Sequence, residues 1–106
     1  MNFNEYQKLA RSTAVYPEEH KVVYPALGLC GEAGEVAEKI KKTIRGDSSL
    51  VDVTGRLADE LGDVLWYISA LADDLGVTLE EVAQANVDKL TSRKKRNMIG
   101  GSGDNR

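Results

Sequence analysis

Two twelve-residue segments of this 106-residue chain share one pattern, and that pattern is typical of paired helices. Residues 29–40 and 57–68 both read L-x-x-E-x-G-[ED]-V-x-x-x-I. Their apolar positions recur three or four residues apart, which is the period of an amphipathic helix rather than that of a strand. The repeat therefore predicts two helices with one buried stripe each, and an antiparallel hairpin would bring both stripes into a common core.

The rest of the sequence favours further helices and contains no β-pattern of useful length. We predict an all-α bundle of about four helices around the hairpin, and the fourth helix is expected to bury Leu79, Val82, Ala83, Val87 and Leu90. Cap residues indicate where each helix begins and ends. The predicted limits are about Asn4 as N-cap to Ala14, about Pro25 to Ile44, Thr54 as cap to Gly76 as stop, and a capping box of Thr78 with Glu81 that opens the fourth helix.

Length and composition limit the class of protein further. We expect one domain over residues 1–97 and a flexible, glycine-rich tail over 98–106. The core of so short a chain is small, so leftover apolar surface predicts a homodimer or homotetramer. A net charge of −3 argues against nucleic acid as a partner, and the apolar runs are too short to span a membrane. The single cysteine, Cys30, and the lack of a signal-peptide pattern favour the cytoplasm.

Each copy of the repeat carries two acidic residues near the edge of its apolar stripe, and a hairpin would let all four carboxylates converge. These residues are Glu32, Glu35, Glu60 and Asp63. One such pair alone is most often a solvated helix face, but two copies at matched positions favour a shared site. Converging carboxylates stay ionised only if a cation neutralises them, and an all-oxygen set suits Mg²⁺, or Mn²⁺. Gly34 and Gly62 would let the helices approach closely and leave space beside the acids.

At these residues the sequence resembles the MazG-like nucleotide pyrophosphohydrolases, all-α enzymes with E-x-x-E on one helix and E-x-x-D on the next. The resemblance extends from about Tyr16 to Arg93. It implies hydrolysis of a nucleoside or deoxynucleoside triphosphate to monophosphate and pyrophosphate, as nucleotide-pool house-cleaning. The implied Mg²⁺ ligands are Glu32, Glu35, Glu60 and Asp63. One departure is Gly31, which stands where many members have a further acidic residue.

Residues around the acids are candidates for further roles in such a reaction. Glu35 is the first candidate for the general base, and Glu38 is the weaker candidate because it could instead pair with Lys42 on the helix surface. Tyr16 and Tyr67 are by position the candidates for stacking on the base, although each could equally be an ordinary packing residue. Asn86, Lys89 and Arg93 match a pattern that in similar proteins faces the triphosphate, and they are the candidates for binding it. Lys89 and Arg93 could equally interact only with the dipole at the helix C-terminus and not with a substrate.

Three questions stay open at the level of sequence. Trp66 lies opposite the apolar stripe of its helix, which suggests a subunit interface or, less favoured, a wall for base stacking. The substrate could be dUTP or phosphoribosyl-ATP instead of a broader range of nucleotides. The chain could also be a helical oligomerisation or regulatory module without catalysis.

Overall fold

Four α-helices and one short 3₁₀ helix make up the protein in the computed structural model, which describes residues 1–106. The α-helices are α1 (Phe3–Arg11), α2 (Val23–Arg45), α3 (Leu50–Asp74) and α4 (Leu79–Lys95), and the 3₁₀ helix spans Glu18–His20. The long helices α2 and α3 pack along each other after the short loop 46–49, while α1 and α4 pack on α3. The predicted all-α fold around a helix hairpin is confirmed.

The first helix begins two residues earlier than the cap signal at Asn4 predicted. Asn2 is the N-cap, and its Oδ1 accepts a hydrogen bond of 2.9 Å from the backbone N–H of Glu5. The prediction of Asn4 was wrong because Gln7, its expected partner, is buried and bonds elsewhere. Gln7 donates to the carbonyl of Val77 at 3.1 Å and accepts from the backbone N–H of Leu79 at 2.9 Å. It therefore ties α1 to the junction of α3 and α4.

The third helix also begins earlier than predicted, because Ser49 and not Thr54 is its N-cap. The Ser49 hydroxyl accepts from the backbone N–H of Asp52 at 3.2 Å. Thr54 lies inside α3, where its hydroxyl donates to the carbonyl of Leu50 at 2.9 Å, a bond to the preceding turn that a helical threonine can make. The first helix also ends earlier than expected, at Arg11 instead of Ala14.

Other predicted boundaries agree with the structure. Helix α2 lies within two residues of the expected limits and ends at Gly46, whose φ of 93° is the left-handed conformation that glycine adopts easily. Gly76 follows α3 with a φ of 78°. The capping box of Thr78 and Glu81 is present at the start of α4. No helix is both long and apolar enough to cross a membrane.

The core is thin, since only 9 of the 106 residues are buried. In α4 the predicted burial holds for Leu79, which is buried, and Ala83 is half-buried. The predicted burial was wrong for Val82, Val87 and Leu90, which are exposed. Helix α4 buries its first turn on the rest of the chain and leaves its later apolar side chains uncovered. Large apolar side chains are also exposed on the hairpin, and they include Leu27, Ile44, Leu50, Val51 and Leu61.

Candidate metal and nucleotide site

Three acidic side chains from the two long helices meet at the centre of the hairpin. Glu32 comes from α2, and Glu60 and Asp63 come from successive turns of α3. Their carboxylate oxygens lie within 4.8 Å of one another. The repeated sequence pattern explains the meeting, because equivalent positions of two antiparallel amphipathic helices face each other across the same stripe. We call Glu32, Glu60 and Asp63 the acid cluster.

The structure brings together three of the four predicted metal ligands and leaves Glu35 at the edge. Glu35 is exposed, one turn along α2 from Glu32, and it is not part of the acid cluster. Its charge still contributes to the raised pKa of Glu32, after larger effects within the cluster. Glu35 therefore lies within electrostatic range of Glu32.

The pKa values of the two glutamates of the acid cluster are shifted in opposite directions. A hydrogen bond with Glu60 raises the pKa of Glu32, and partial burial and the charges of Asp63, Glu60 and Glu35 add to the effect. A hydrogen bond from Lys39 lowers the pKa of Glu60, and the bond with Glu32 lowers it further. Of these two glutamates, Glu32 is thus the one that takes up a proton first, as expected when carboxylates share one crevice.

Glu60 has one oxygen paired and one oxygen without a partner. Its Oε1 accepts from Lys39 Nζ at 2.8 Å, whereas its Oε2 is buried and has no hydrogen-bond donor. A buried carboxylate oxygen without a partner is unfavourable unless an ion or water satisfies it. Together with two neighbouring carboxylates and the lack of histidine or cysteine in the cluster, this unsatisfied oxygen fits a hard divalent cation such as Mg²⁺ or Mn²⁺.

Lys39 was missed by the sequence analysis, although its position could have indicated it. It lies seven residues after Glu32, which is about two helical turns and hence the same face of α2. The ion pair with Glu60 in turn raises the pKa of Lys39. A lysine on the acidic face of a helix is easily read as a surface residue, and only the packing of α3 shows that it reaches the neighbouring acid.

Aromatic residues form one side of a pocket at the acid cluster. Glu32, Asp63, Trp66 and Tyr67 line this pocket, whose volume is about 290 Å³. The Trp66 indole packs edge to face on Tyr67, with ring centroids 5.0 Å apart, and its Nε1 donates to Thr13 Oγ1 at 2.8 Å. Of the two roles that the sequence left open for Trp66, the pocket wall is the one seen within a single chain.

A row of tyrosines extends from this pocket to the connector before α2. Tyr16 stacks on Tyr24 with centroids 4.8 Å apart, and Tyr24 lies 6.4 Å from Tyr67. Tyr16 therefore reaches the pocket only through its neighbours. Its hydroxyl donates to Asp74 Oδ2 at 2.7 Å and accepts from Arg11 at 3.1 Å, which fixes the ring in place.

The remaining candidates lie away from the acid cluster. Asn86 and Lys89 are exposed on α4, and Arg93 is buried, with its Nη2 donating to the Asp104 carbonyl of the C-terminal segment at 2.9 Å. Within one chain, no hydrogen bond or ion pair joins these three residues to the acids. Glu38 pairs with Lys41 at 2.8 Å, and that bond, before any other effect, lowers the pKa of the Glu38 carboxyl.

The fold and site define an all-helical protein with a cluster of carboxylates beside an aromatic pocket. Residues 24–98 match the family model of the MazG nucleotide pyrophosphohydrolase domain, so the chain belongs to that family, as the sequence resemblance predicted. The matched range includes the acid cluster and Glu35. Membership of this family suggests nucleotide pyrophosphohydrolase activity.

The chain is also similar to individual proteins. The chain is 45% identical to the gene 37 protein of Mycobacterium phage L5 over 114 aligned residues, which cover all of both proteins. It is 39% identical to the uncharacterized protein YvdC of Bacillus subtilis (strain 168) over 72 residues, or 61% of this chain and 68% of that protein. The crystal structure of iMazG from Vibrio DAT 722 has a TM-score of 0.63 and 32% identity, covering 90% of this chain and 97% of that chain.

Proposed function

We propose that the protein hydrolyses nucleoside or deoxynucleoside triphosphates to the monophosphate and pyrophosphate, with Mg²⁺ as cofactor and Mn²⁺ as a substitute. The observation that carries the proposal is the acid cluster with the unsatisfied Oε2 of Glu60. Neutral donors could not balance three carboxylates that approach so closely, whereas a divalent ion would, and the bound ion could then also attract the anionic phosphates of a nucleotide. The biological role that we propose is the removal of unwanted nucleotides.

The acid cluster would hold the metal, and nearby residues would handle the proton. Bound there, Mg²⁺ supplies charge neutralisation at the phosphates and a more acidic water. Water adds across the bond between the α- and β-phosphates, and the proton that it loses goes to the carboxylate of Glu35. Glu35 suits this role better than Glu38, because Glu38 is already paired with Lys41 and its lowered pKa makes it a weaker base.

The aromatic pocket would receive the base of the nucleotide. Trp66 and Tyr67 border the acids, and stacking of a base on an aromatic ring contributes about 1–3 kcal/mol. In this proposal Tyr16 supports the pocket through Tyr24. Stacking favours any flat base, so the aromatic wall alone does not choose among the nucleotides.

Self-association is a further part of the proposal. Exposed apolar side chains on both the hairpin and α4 exceed what a small soluble domain usually leaves in water. A homodimer or homotetramer would cover them, and α4 of one subunit could then present Asn86 and Lys89 to the site of another. Arg93 would take part only after it gives up its contact with Asp104. The exposed, unpaired Cys30 suits a reducing compartment, and we place the enzyme in the cytoplasm.

A pyrophosphate-release screen tests the activity. The full chain is given canonical and damaged nucleoside triphosphates, dUTP and phosphoribosyl-ATP, each with Mg²⁺ and with a chelator. We expect release with Mg²⁺ alone, a loss of at least 100-fold in Asp63→Asn, and near-normal release in Asp59→Asn, whose exposed carboxylate lies on α3 outside the cluster. Absence of release from every compound would instead support a module without catalysis.

A further inference from the structure

The ion pair between Lys39 and Glu60 is the one salt bridge that joins α2 to α3. The side chains of Lys39 and Glu60 are only 21% and 17% exposed, and Nζ lies 2.8 Å from Oε1. The other ion pairs of α2, from Glu38 to Lys41 and Lys42, are at least 42% exposed on every side chain. Water and salt therefore screen the Lys39 pair least.

This contact determines how the Glu60 carboxylate is presented. Lys39 holds Oε1, so the carboxylate cannot rotate freely, and Oε2 is left without any donor. A metal ligand is most effective when a neighbouring group holds its second polar atom and fixes its orientation. When Glu32 and Asp63 are ionised they cannot orient Glu60 in this way, because ionised carboxylates only accept hydrogen bonds and repel one another; Glu32 can bond to Glu60 only while one of the two is protonated.

We propose that Lys39 is a positioning residue, which holds Glu60 so that its free oxygen can bind the divalent ion. The inference rests on the metal site in the proposed function and adds to it a residue outside the acidic motifs. The positive charge of Lys39 has an opposite effect, because it repels a cation at the acid cluster. Orientation outweighs repulsion here, because Oε1 already neutralises the ammonium group while Oε2 remains unpaired.

Calorimetric titration of the full chain with Mn²⁺, without nucleotide, tests the role directly. We expect Lys39→Met to weaken binding about 10- to 100-fold, the range typical for loss of a group that orients a metal ligand. Lys39→Arg keeps both the charge and a donor, and should bind within about threefold of the natural protein. Lys41→Met is the matched control, since Lys41 pairs with Glu38 on the exposed side of the same helix. It should bind Mn²⁺ normally.

The outcomes separate this proposal from the one on which it rests. Absence of saturable Mn²⁺ binding in the natural protein overturns the metal site itself. Normal binding there, with equal or tighter binding in Lys39→Met, overturns only the role of Lys39. An equal loss in Lys39→Arg and Lys39→Met also overturns it, because the ion pair would then not be the cause. Circular dichroism of each variant confirms that a loss of binding is measured on a folded chain.

Discussion

The ring of Tyr67 on α3 lies directly against the backbone of Gly28 on α2, and a methyl group at residue 28 would overlap the ring. This is the point where the two long helices need a glycine. Tyr67 also lines the pocket with Glu32 and Asp63. The identity of residue 28 thus controls one wall of the candidate nucleotide site.

Gly28→Ala should therefore impair both stability and substrate binding. Forcing a methyl group into a filled space costs about 1–3 kcal/mol, and a displaced Tyr67 should raise KM for a nucleotide more than it lowers kcat. Urea unfolding and steady-state kinetics measure the two effects. Gly34→Ala is the control for stability, since nothing lies within 4 Å of its added methyl group, and alanine should stabilise this helix by roughly 1 kcal/mol. Equal stability changes at both positions would contradict the packing argument.

The sequence repeat was informative about the hairpin and misleading about its glycines. Leu29 and Ile40 match Leu57 and Ile68 in position, and this periodicity was enough to predict two packed helices with acids at equivalent places. Gly34 and Gly62 were expected to allow close helix approach and to leave space beside the acids; both face open space, so the expected space is present but the close approach is not. Helix periodicity specifies the face of a residue, but the point of closest contact depends on the crossing of the helices, which no local pattern encodes.

Contacts between segments that are distant in the chain likewise could not be predicted from the sequence. Lys39 and Glu60 are ordinary surface residues by type, and only the register of the hairpin pairs them. Asn2 and Asn4 are equally good caps by type, and the burial of Gln7 against the start of α4 decides between them. The family resemblance implied a ligand set from the motif alone, whereas the position of Glu35 outside the acid cluster could be seen only in the structure.

Asp74 should be far more important for stability than its neighbour Asp73, although Arg11 binds both. The Asp74 side chain is fully buried and accepts from Arg11, Tyr16 and the backbone N–H of Val22. Breaking a buried ion pair costs about 3–5 kcal/mol, so Asp74→Asn should lower the free energy of unfolding by that order. Asp73 is 44% exposed, and Asp73→Asn should cost at most about 1 kcal/mol. Urea unfolding at pH 7 compares them, and similar losses would contradict the prediction.

The same network predicts a sensitivity to acid. Burial alone would raise the pKa of Asp74, but the bonds from Val22, Tyr16 and Arg11 outweigh it and lower the pKa. A lowered pKa in the folded state stabilises the protein above the ordinary aspartate value of about 3.9, and the contribution is lost as pH falls through the lowered pKa. The difference between natural protein and Asp74→Asn should therefore shrink below about pH 4.

Glu32→Gln should increase stability at neutral pH when metal is absent. The pKa of Glu32 is raised in the folded state, so its contribution is fully present below the ordinary glutamate value of about 4.3 and is lost as pH rises through the raised pKa. Thermal unfolding is measured with a chelator from pH 4 to 7. The Tm of the variant should rise relative to the Tm of the natural protein as pH increases. Glu19→Gln, at an exposed position, is the control. A difference that stays constant with pH would exclude repulsion in the cluster as the cause.

Glu35→Gln should reduce kcat about 10²- to 10⁴-fold while Mn²⁺ binding by the acid cluster persists, because a general base is lost and the three clustered ligands remain. Glu38→Gln is the control, because Glu38 lies three residues after Glu35 on α2. The kcat of this variant should differ little from that of the natural protein. Kinetics and metal titration on the same preparations separate the roles. Loss of metal binding in Glu35→Gln would make Glu35 a ligand in its own right, and an unchanged kcat would remove it from the mechanism.

The exposed apolar side chains of the hairpin should mediate self-association. Sedimentation equilibrium of the natural protein should give a multiple of the 11.6 kDa chain mass. Ile44 and Val51 are both more than four-fifths exposed beside the loop that joins α2 and α3, and changing both to aspartate should lower the average mass if that end is in the interface. A mass of 11.6 kDa for the natural protein would contradict the proposal.

A crystal structure with Mn²⁺ tests the central claim most directly, because anomalous scattering locates this ion without assumptions about the protein. The account predicts one anomalous peak or more within bonding distance, about 2.0–2.2 Å, of carboxylate oxygens from Glu32, Glu60 and Asp63. Lys39 should still contact Glu60 in that structure. Peaks found only elsewhere, with these three side chains turned apart, would contradict the assignment of a metal site at the hairpin.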